Sequence, residues 1–245
     1  MRAIWLVILT ACSLNVDYTG TNYQCNPDGS CPPDFECQDM VCVPTDPVPP
    51  ACSQDVSSGA AHACAVRNDG TVWCWGANSS GQLGDGTVTD SDVPVQVASV
   101  MKAVKVGAGD QSSCALTEAG EVFCWGSNGS GQLGDGTNTD NRTPVQVRDV
   151  SGAKQLTVGA AHACVLKSDN TIACWGSNQD GQIGDGSTTA RNSPTAAMIG
   201  AARSVTAGSD ITCAVLMDGT PQCWGENNDG ELGVGDANPH PMPTT

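Results

Sequence analysis

Apolar and polar residues alternate in short runs through residues 57–245, and the runs come in pairs. Ala63-Cys64-Ala65-Val66-Arg67 and Thr71-Val72-Trp73-Cys74-Trp75 each follow the two-residue period of a half-buried strand, and Asn68-Asp69-Gly70 between them has turn chemistry. The same strand, turn and strand return three more times. Trp75-Gly76, Trp125-Gly126, Trp175-Gly176 and Trp224-Gly225 mark the copies at steps of 50, 50 and 49 residues, a period that belongs to propellers and solenoids. After each Trp-Gly comes a second constant text. Gly81-Gln82-Leu83-Gly84-Asp85-Gly86 recurs as residues 131–136, as Gly181-Gln182-Ile183-Gly184-Asp185-Gly186, and in drifted form as Gly230-Glu231-Leu232-Gly233-Val234-Gly235. The pattern predicts an all-β fold of four blades of roughly 50 residues, at about 57–100, 101–150, 151–200 and 201–245, each an antiparallel sheet.

Each copy holds two cysteines at one fixed separation: Cys64 and Cys74, Cys114 and Cys124, Cys164 and Cys174, Cys213 and Cys223. A three-residue loop centred on Asp69 pairs Arg67 with Thr71, Ala65 with Trp73, and Cys64 directly with Cys74. Loops of this length end on a residue in the left-handed region, where Gly or Asn is least strained, and the sequence supplies Gly70, Gly120, Asn170 and Gly219 there. Spacing and turn chemistry therefore select the same register, since a slip of one residue would send the two sulfurs to opposite faces. Directly opposed residues have Cα atoms about 4.5–5.5 Å apart, within reach of a disulfide. Each small closed loop then stabilises the fold by on the order of 2–3 kcal/mol in the chain-entropy account.

Composition agrees with many short strands and tight turns, with 29 Gly, 14 Pro and only 15% charged residues. The formal charge of -16, with ten Lys and Arg in all, excludes a nucleic-acid binder, which needs cations to displace counterions. The acidity is not a tail, because the repeats themselves hold 19 of the 26 acids. It reads as a solvated surface.

Fourteen cysteines without CxxC metal pairs point to an oxidising compartment. The N-terminus fits export: Arg2 is followed by an apolar run from Ala3 to Leu9, and Leu9-Thr10-Ala11-Cys12 resembles the lipobox of bacterial lipoprotein signal peptides. On that resemblance residues 1–11 are a signal peptide and Cys12 carries the lipid, anchoring the protein in the bacterial cell envelope, at the outer membrane or cell surface. An ordinary signal peptide and secretion is the other reading. No apolar run is long enough to span a bilayer. Residues 12–24 read as a polar tether, and 25–43 as a mini-module in which Cys25, Cys31, Cys37 and Cys42 form two disulfides of open connectivity. A zinc site is the alternative there. Residues 44–56, with Pro44, Pro47, Pro49 and Pro50, read as a stiff linker, and Cys52 has no evident partner.

Candidate chemistry is sparse. Trp75, Trp125, Trp175 and Trp224 with their following glycines, Gly76, Gly126, Gly176 and Gly225, read as packing and turning elements. Asp85, Asp135 and Asp185 lie in Gly-rich loops whose spacing does not fit an EF-hand, and they read as turn caps rather than metal ligands. His62 and His162 share one repeat position that Ser112 and Ile211 fill elsewhere, which a single active site would not do. No nucleophile elbow or phosphate loop occurs. No catalytic residue, metal or cofactor is assigned.

Gly59-Ala60-Ala61-His62, Asp69-Gly70, Trp75-Gly76-Ala77-Asn78 and Gly81-Gln82-Leu83-Gly84, repeated in phase, resemble the regulator-of-chromosome-condensation repeat family over residues 57–245. The resemblance implies a propeller of four-stranded blades, usually seven around an axis. Four copies imply a partial propeller, to be completed by self-association or descended from a longer relative. Pro94, Pro144 and Pro194 follow their Trp by 19 residues, and Pro243 holds the same phase in the last copy. The family's best-known member is a guanine-nucleotide exchange factor for a nuclear GTPase; no loop here bears a distinctive match to its exchange segment. Secreted relatives that inhibit β-lactamases by clamping the enzyme with propeller loops imply an alternative role as an extracellular inhibitor. The sequence reading is thus a non-catalytic, lipid-anchored envelope protein that binds an unidentified protein partner through a repeat scaffold.

Overall fold

The computed structural model describes residues 35–38, 41–44 and 53–245. The chain divides between Cys52 and Ser53 into two units. In the first, β1 (Phe35–Gln38) and β2 (Val41–Pro44) form an antiparallel hairpin whose backbone register sets Cys37 opposite Cys42. The segments read from sequence as a signal peptide and a tether, and Cys12, Cys25, Cys31 and Cys52, lie outside the described residues.

The second unit is four four-stranded antiparallel sheets. The first blade contains β3 (Ser53–Ser58), β4 (His62–Arg67), β5 (Val72–Gly76) and β6 (Ser91–Gln96). The second contains β7 (Ala103–Ala108), β8 (Ser112–Thr117), β9 (Val122–Gly126) and β10 (Asn141–Gln146), and the third β11 (Ala153–Val158), β12 (His162–Lys167), β13 (Ile172–Gly176) and β14 (Arg191–Ala196). The fourth contains β15 (Ala202–Ala207), β16 (Ile211–Leu216), β17 (Pro221–Gly225) and β18 (His240–Thr244). In every blade the strands follow one another as a meander. The first strands, β3, β7, β11 and β15, pack side by side from blade to blade and form the inner row. The architecture is a four-bladed partial propeller.

Both ends of the segment read as a linker, residues 44–56, are strand, and Pro44 closes β2. β3 begins at Ser53 and so takes Ser53–Val56 out of the segment read as a linker. Its residues, Ser-Gln-Asp-Val-Ser-Ser, lack the apolar alternation of the other inner strands and are largely exposed. What makes it a strand is the free edge of β4, with which it pairs from Ser53↔Arg67 to Ser58↔Ala63. At the opposite edge, Pro94, Pro144 and Pro194 sit in the outermost strands β6, β10 and β14, where a missing N–H interrupts no ladder beyond it.

The core is not inside the blades but between them. Cys64, Val66, Val72, Cys74 and Leu83 of the first blade bury against Ala103, Val106, Ala115 and Trp125 of the second. The next two seams repeat this, with Leu133 facing Trp175 and Ile183 facing Trp224. A single blade offers one apolar face in each direction and covers neither alone, so stability is shared between neighbours.

Candidate functional site

Within each blade the central hairpin has the register its turn chemistry demands. Cys64 lies opposite Cys74, Ala65 opposite Trp73 and Val66 opposite Val72. Gly70, Gly120, Asn170 and Gly219 close the turns with φ of 76°, 76°, 68° and 96°. Disulfides join Cys64–Cys74, Cys114–Cys124, Cys164–Cys174 and Cys213–Cys223 across Cα separations of 4.0 to 4.1 Å. Each bridge ties the two central strands of its own blade, and those of the first three blades face the seam to the next blade.

The loop after each Trp-Gly is organised by one buried asparagine. In the second blade, Asn128 accepts the N–H of Leu133 at 2.9 Å and donates through Nδ2 to Asp135 Oδ1, Thr137 Oγ1 and the carbonyl of Thr139. Asn78 and Asn178 do the same, and Asn227 keeps the bond from Leu232 but turns its amide to Asp236. Asp85, Asp135 and Asp185 accept the N–H and hydroxyl of the residue two positions on, the geometry of a capped turn. Asp185 also pairs with Arg191 at 2.6 Å. Burial works against the charge of Asp185, but the Ser187 hydroxyl and the Arg191 guanidinium outweigh it and hold its carboxyl below the usual range. Among the described residues no group of three His, Cys, Asp or Glu is placed to hold a metal ion.

The tryptophans reach out of their own blades. The indole N–H of Trp125 donates to the Gln82 carbonyl at 2.8 Å, that of Trp175 to Gln132 at 3.0 Å, and that of Trp224 to Gln182 at 2.9 Å. The ring lies flat on the glycine two residues further on: a Cβ built on Gly84, which has φ +70°, would sit 2.7 Å from Trp125 Nε1. The Gly-Gln-Leu-Gly text is thus a socket, and the Trp of the following blade fills it. Trp75 is the exception, being only partly buried.

His62 and His162 are buried at two of the three seams. His62 Nε2 lies 2.8 Å from Ser113 Oγ, and His162 Nε2 lies 2.9 Å from Thr212 Oγ1. Each hydroxyl donates its proton onward to the Gln82 or Gln182 carbonyl, so each Nε2 is the protonated nitrogen that donates to the hydroxyl. Both Nδ1 atoms are buried and unbonded. Burial lowers both imidazoles to about 4, with the charge of Asp210 working in the opposite sense at His162. These rings are structural and neutral. At the middle seam Ser112 and Ala163 stand in the same places, so the hydroxyl accompanies the histidine.

Side chains of one inner strand also satisfy the backbone of the next: Asp55 and Ser57 accept the N–H groups of Val106 and Ala108 at 2.8 and 3.0 Å, and Gln155 and Thr157 those of Val205 and Ala207 at 3.1 and 2.8 Å. These bridges were not legible as such in the sequence. Their signal is a pair of polar residues two apart, Asp55 with Ser57 and Gln155 with Thr157, at the phase that the second blade fills with Lys105 and Gly107. On the surface, the Arg67 guanidinium stacks 3.7 Å over the Trp73 ring, a pairing that Phe123, Ala173 and Gln222 do not repeat.

The family model described as RCC1-like domain matches residues 24–245. The chain belongs to that family. Among solved structures, human WBSCR16 superposes with a TM-score of 0.71 at 21% identity, covering 92% of this chain and 59% of that one. Prp20p of Saccharomyces cerevisiae superposes with a TM-score of 0.69 at 20% identity, covering 91% and 57%, and yeast RCC1 (Prp20) bound to Kap60 gives 0.69 at 19%, covering 86% and 52%. This RCC1-like chain therefore spans between half and three-fifths of the length of those relatives, and at such identities the likeness is one of fold. No curated protein matches it in sequence.

Proposed function

We propose that this RCC1-like chain is a non-catalytic protein-binding scaffold of the bacterial cell envelope, held to the membrane by lipid on Cys12. The observation that carries the reading is the way the loops are built: their polar side chains are spent on internal caps around Asn78, Asn128, Asn178 and Asn227, and their frames are pinned by four disulfides. Loops rigidified in this way lose little entropy on docking to a partner. The bridges suit an oxidising compartment, and the lipobox-like Leu9-Thr10-Ala11-Cys12 supplies the anchor. Among the described residues no helix is long and apolar enough to cross a membrane. Relatives lend the reading support by analogy: yeast Prp20 has been seen bound to Kap60 and characterised for binding Gsp1p and histones.

Two measurements test it. Radiolabelled palmitate should enter the wild-type chain and not Cys12→Ala; equal labelling, or none in either, removes the anchor. Affinity capture from the native envelope should retain one protein with the oxidised chain and lose it after reduction. Capture that is indifferent to reduction would mean that the pinned loops are not the binding surface.

A further inference from the structure

Three seams show what one blade offers the next. The trailing face of a blade presents its disulfide, the leucine or isoleucine of its glycine loop, and a carbonyl. The leading face of the following blade presents an inner-strand apolar residue and a tryptophan. Among the described residues both faces also occur without a neighbour. Val56 is 66% exposed, although its counterparts Val106 and Leu156 are 3% and 5% exposed. Trp75 is partly exposed, although Trp125, Trp175 and Trp224 are fully buried. On the fourth blade nothing lies within 4 Å of a Cβ built on Gly233, the position where Gly84, Gly134 and Gly184 each meet an indole at 2.7, 2.8 and 2.6 Å. Cys213 and Cys223 are partly exposed and Pro221 is exposed, where the first three blades bury Val72, Val122 and Ile172.

We propose that these two faces bind each other between copies of this chain, head to tail, so that Trp75 of one copy lies on Leu232 and Gly233 of another and donates its indole N–H to the Glu231 carbonyl. The occupant is a second copy because the smaller features match as well. Ser57 and Thr157 accept an N–H from the following inner strand. The residue in phase with them on the fourth blade is Thr206, and the N–H in phase with its donors is that of Ser58, on the edge strand β3. Where a seam carries a histidine, the next blade supplies a hydroxyl, as in His62 with Ser113 and His162 with Thr212. The two free faces carry Ile211 and Ala63 at those positions, an apolar pair that leaves no polar atom without a partner.

Such a contact uses different patches on the two copies. It closes into a ring if the rotation per copy permits and otherwise continues as a chain of copies. The inference is independent of the envelope-binding proposal, since it rests on the seams alone.

The test uses the full chain with its disulfides intact, followed by sedimentation from about 1 to about 100 μM. The wild-type mass should rise with concentration. Val56→Glu spoils only the leading face and Pro221→Glu only the trailing face, and both positions are exposed, so both variants keep the fold. Each alone should remain monomeric, with self-affinity weakened at least about tenfold. An equimolar mixture of the two should form a heterodimer and nothing larger, because one intact face of each kind remains. A wild-type chain that stays monomeric at about 100 μM, variants that associate as the wild type does, or a mixture that stays monomeric would each overturn the proposal.

Discussion

Trp175 donates its indole N–H to the main-chain oxygen of Gln132, 3.0 Å away and 43 residues earlier in the chain. That carbonyl has no second donor, because Ala163 stands where Ser113 and Thr212 supply hydroxyls to the Gln82 and Gln182 carbonyls. The bond is the one polar tie of an otherwise apolar tryptophan socket.

Trp175→Phe should therefore destabilise the fold more than Trp125→Phe. The first leaves a buried carbonyl without a partner, at a cost of about 1–3 kcal/mol, while the second leaves Gln82 still bonded to Ser113. Urea unfolding of the two variants checks the order. Equal losses would mean that ring packing alone decides.

The socket's shape is tested by glycine. Gly84→Ala and Gly233→Ala place a methyl at nearly the same φ, +70° and +71°, but only the first meets an indole ring. Both should lose about 1 kcal/mol to the left-handed backbone. Gly84→Ala should lose a further 1–3 kcal/mol or so from overpacking, read by urea midpoint at concentrations low enough to keep the chain monomeric.

The loop asparagines give a third comparison. Asn128 is fully buried and its amide faces Asp135 Oδ1 and two carbonyl-bearing threonines. Asn128→Asp keeps the size but turns donors into a carboxylate against acceptors. It should cost more than Asn128→Ala, with losses on the order of 2–4 kcal/mol. Chemical unfolding of both variants gives the sign of the difference.

Stability should depend on pH between about 4 and 6.5. His62 and His162 stay neutral in the folded chain down to about pH 4, whereas the unfolded chain takes up protons at the ordinary value of 6.5. The unfolded state binds more protons in this window, so stability falls as pH falls, by up to about 1.4 kcal/mol per pH unit for each ring. Asp185, held below the usual carboxylate range, acts lower, its contribution being lost only as the pH drops through and below 3.8. Replacing the third seam with an apolar pair, His162→Ile with Thr212→Ala, should halve the slope between pH 4 and 6.5. An unchanged slope would place the titration elsewhere.

What the sequence by itself determined is local. The Cys64–Cys74 register and the left-handed turn at Gly70 or Asn170 follow from contacts within a dozen residues, where turn chemistry and the two-residue strand period leave one consistent pairing, and the repeated text copies that unit four times. The tertiary structure decided what lies between blades. Trp125 reads from the sequence as a core anchor, but nothing within its own repeat says that its socket is Gln82 to Gly84 of the blade before it. Ser53–Ser58 carries no strand signature and is a strand only because β4 has an unpaired edge. Likewise His62 and Ser113 are unremarkable until the seam sets them 2.8 Å apart. Propensity and periodicity act over a few residues, whereas seams join surfaces some fifty residues apart whose match depends on how neighbouring sheets twist and stack.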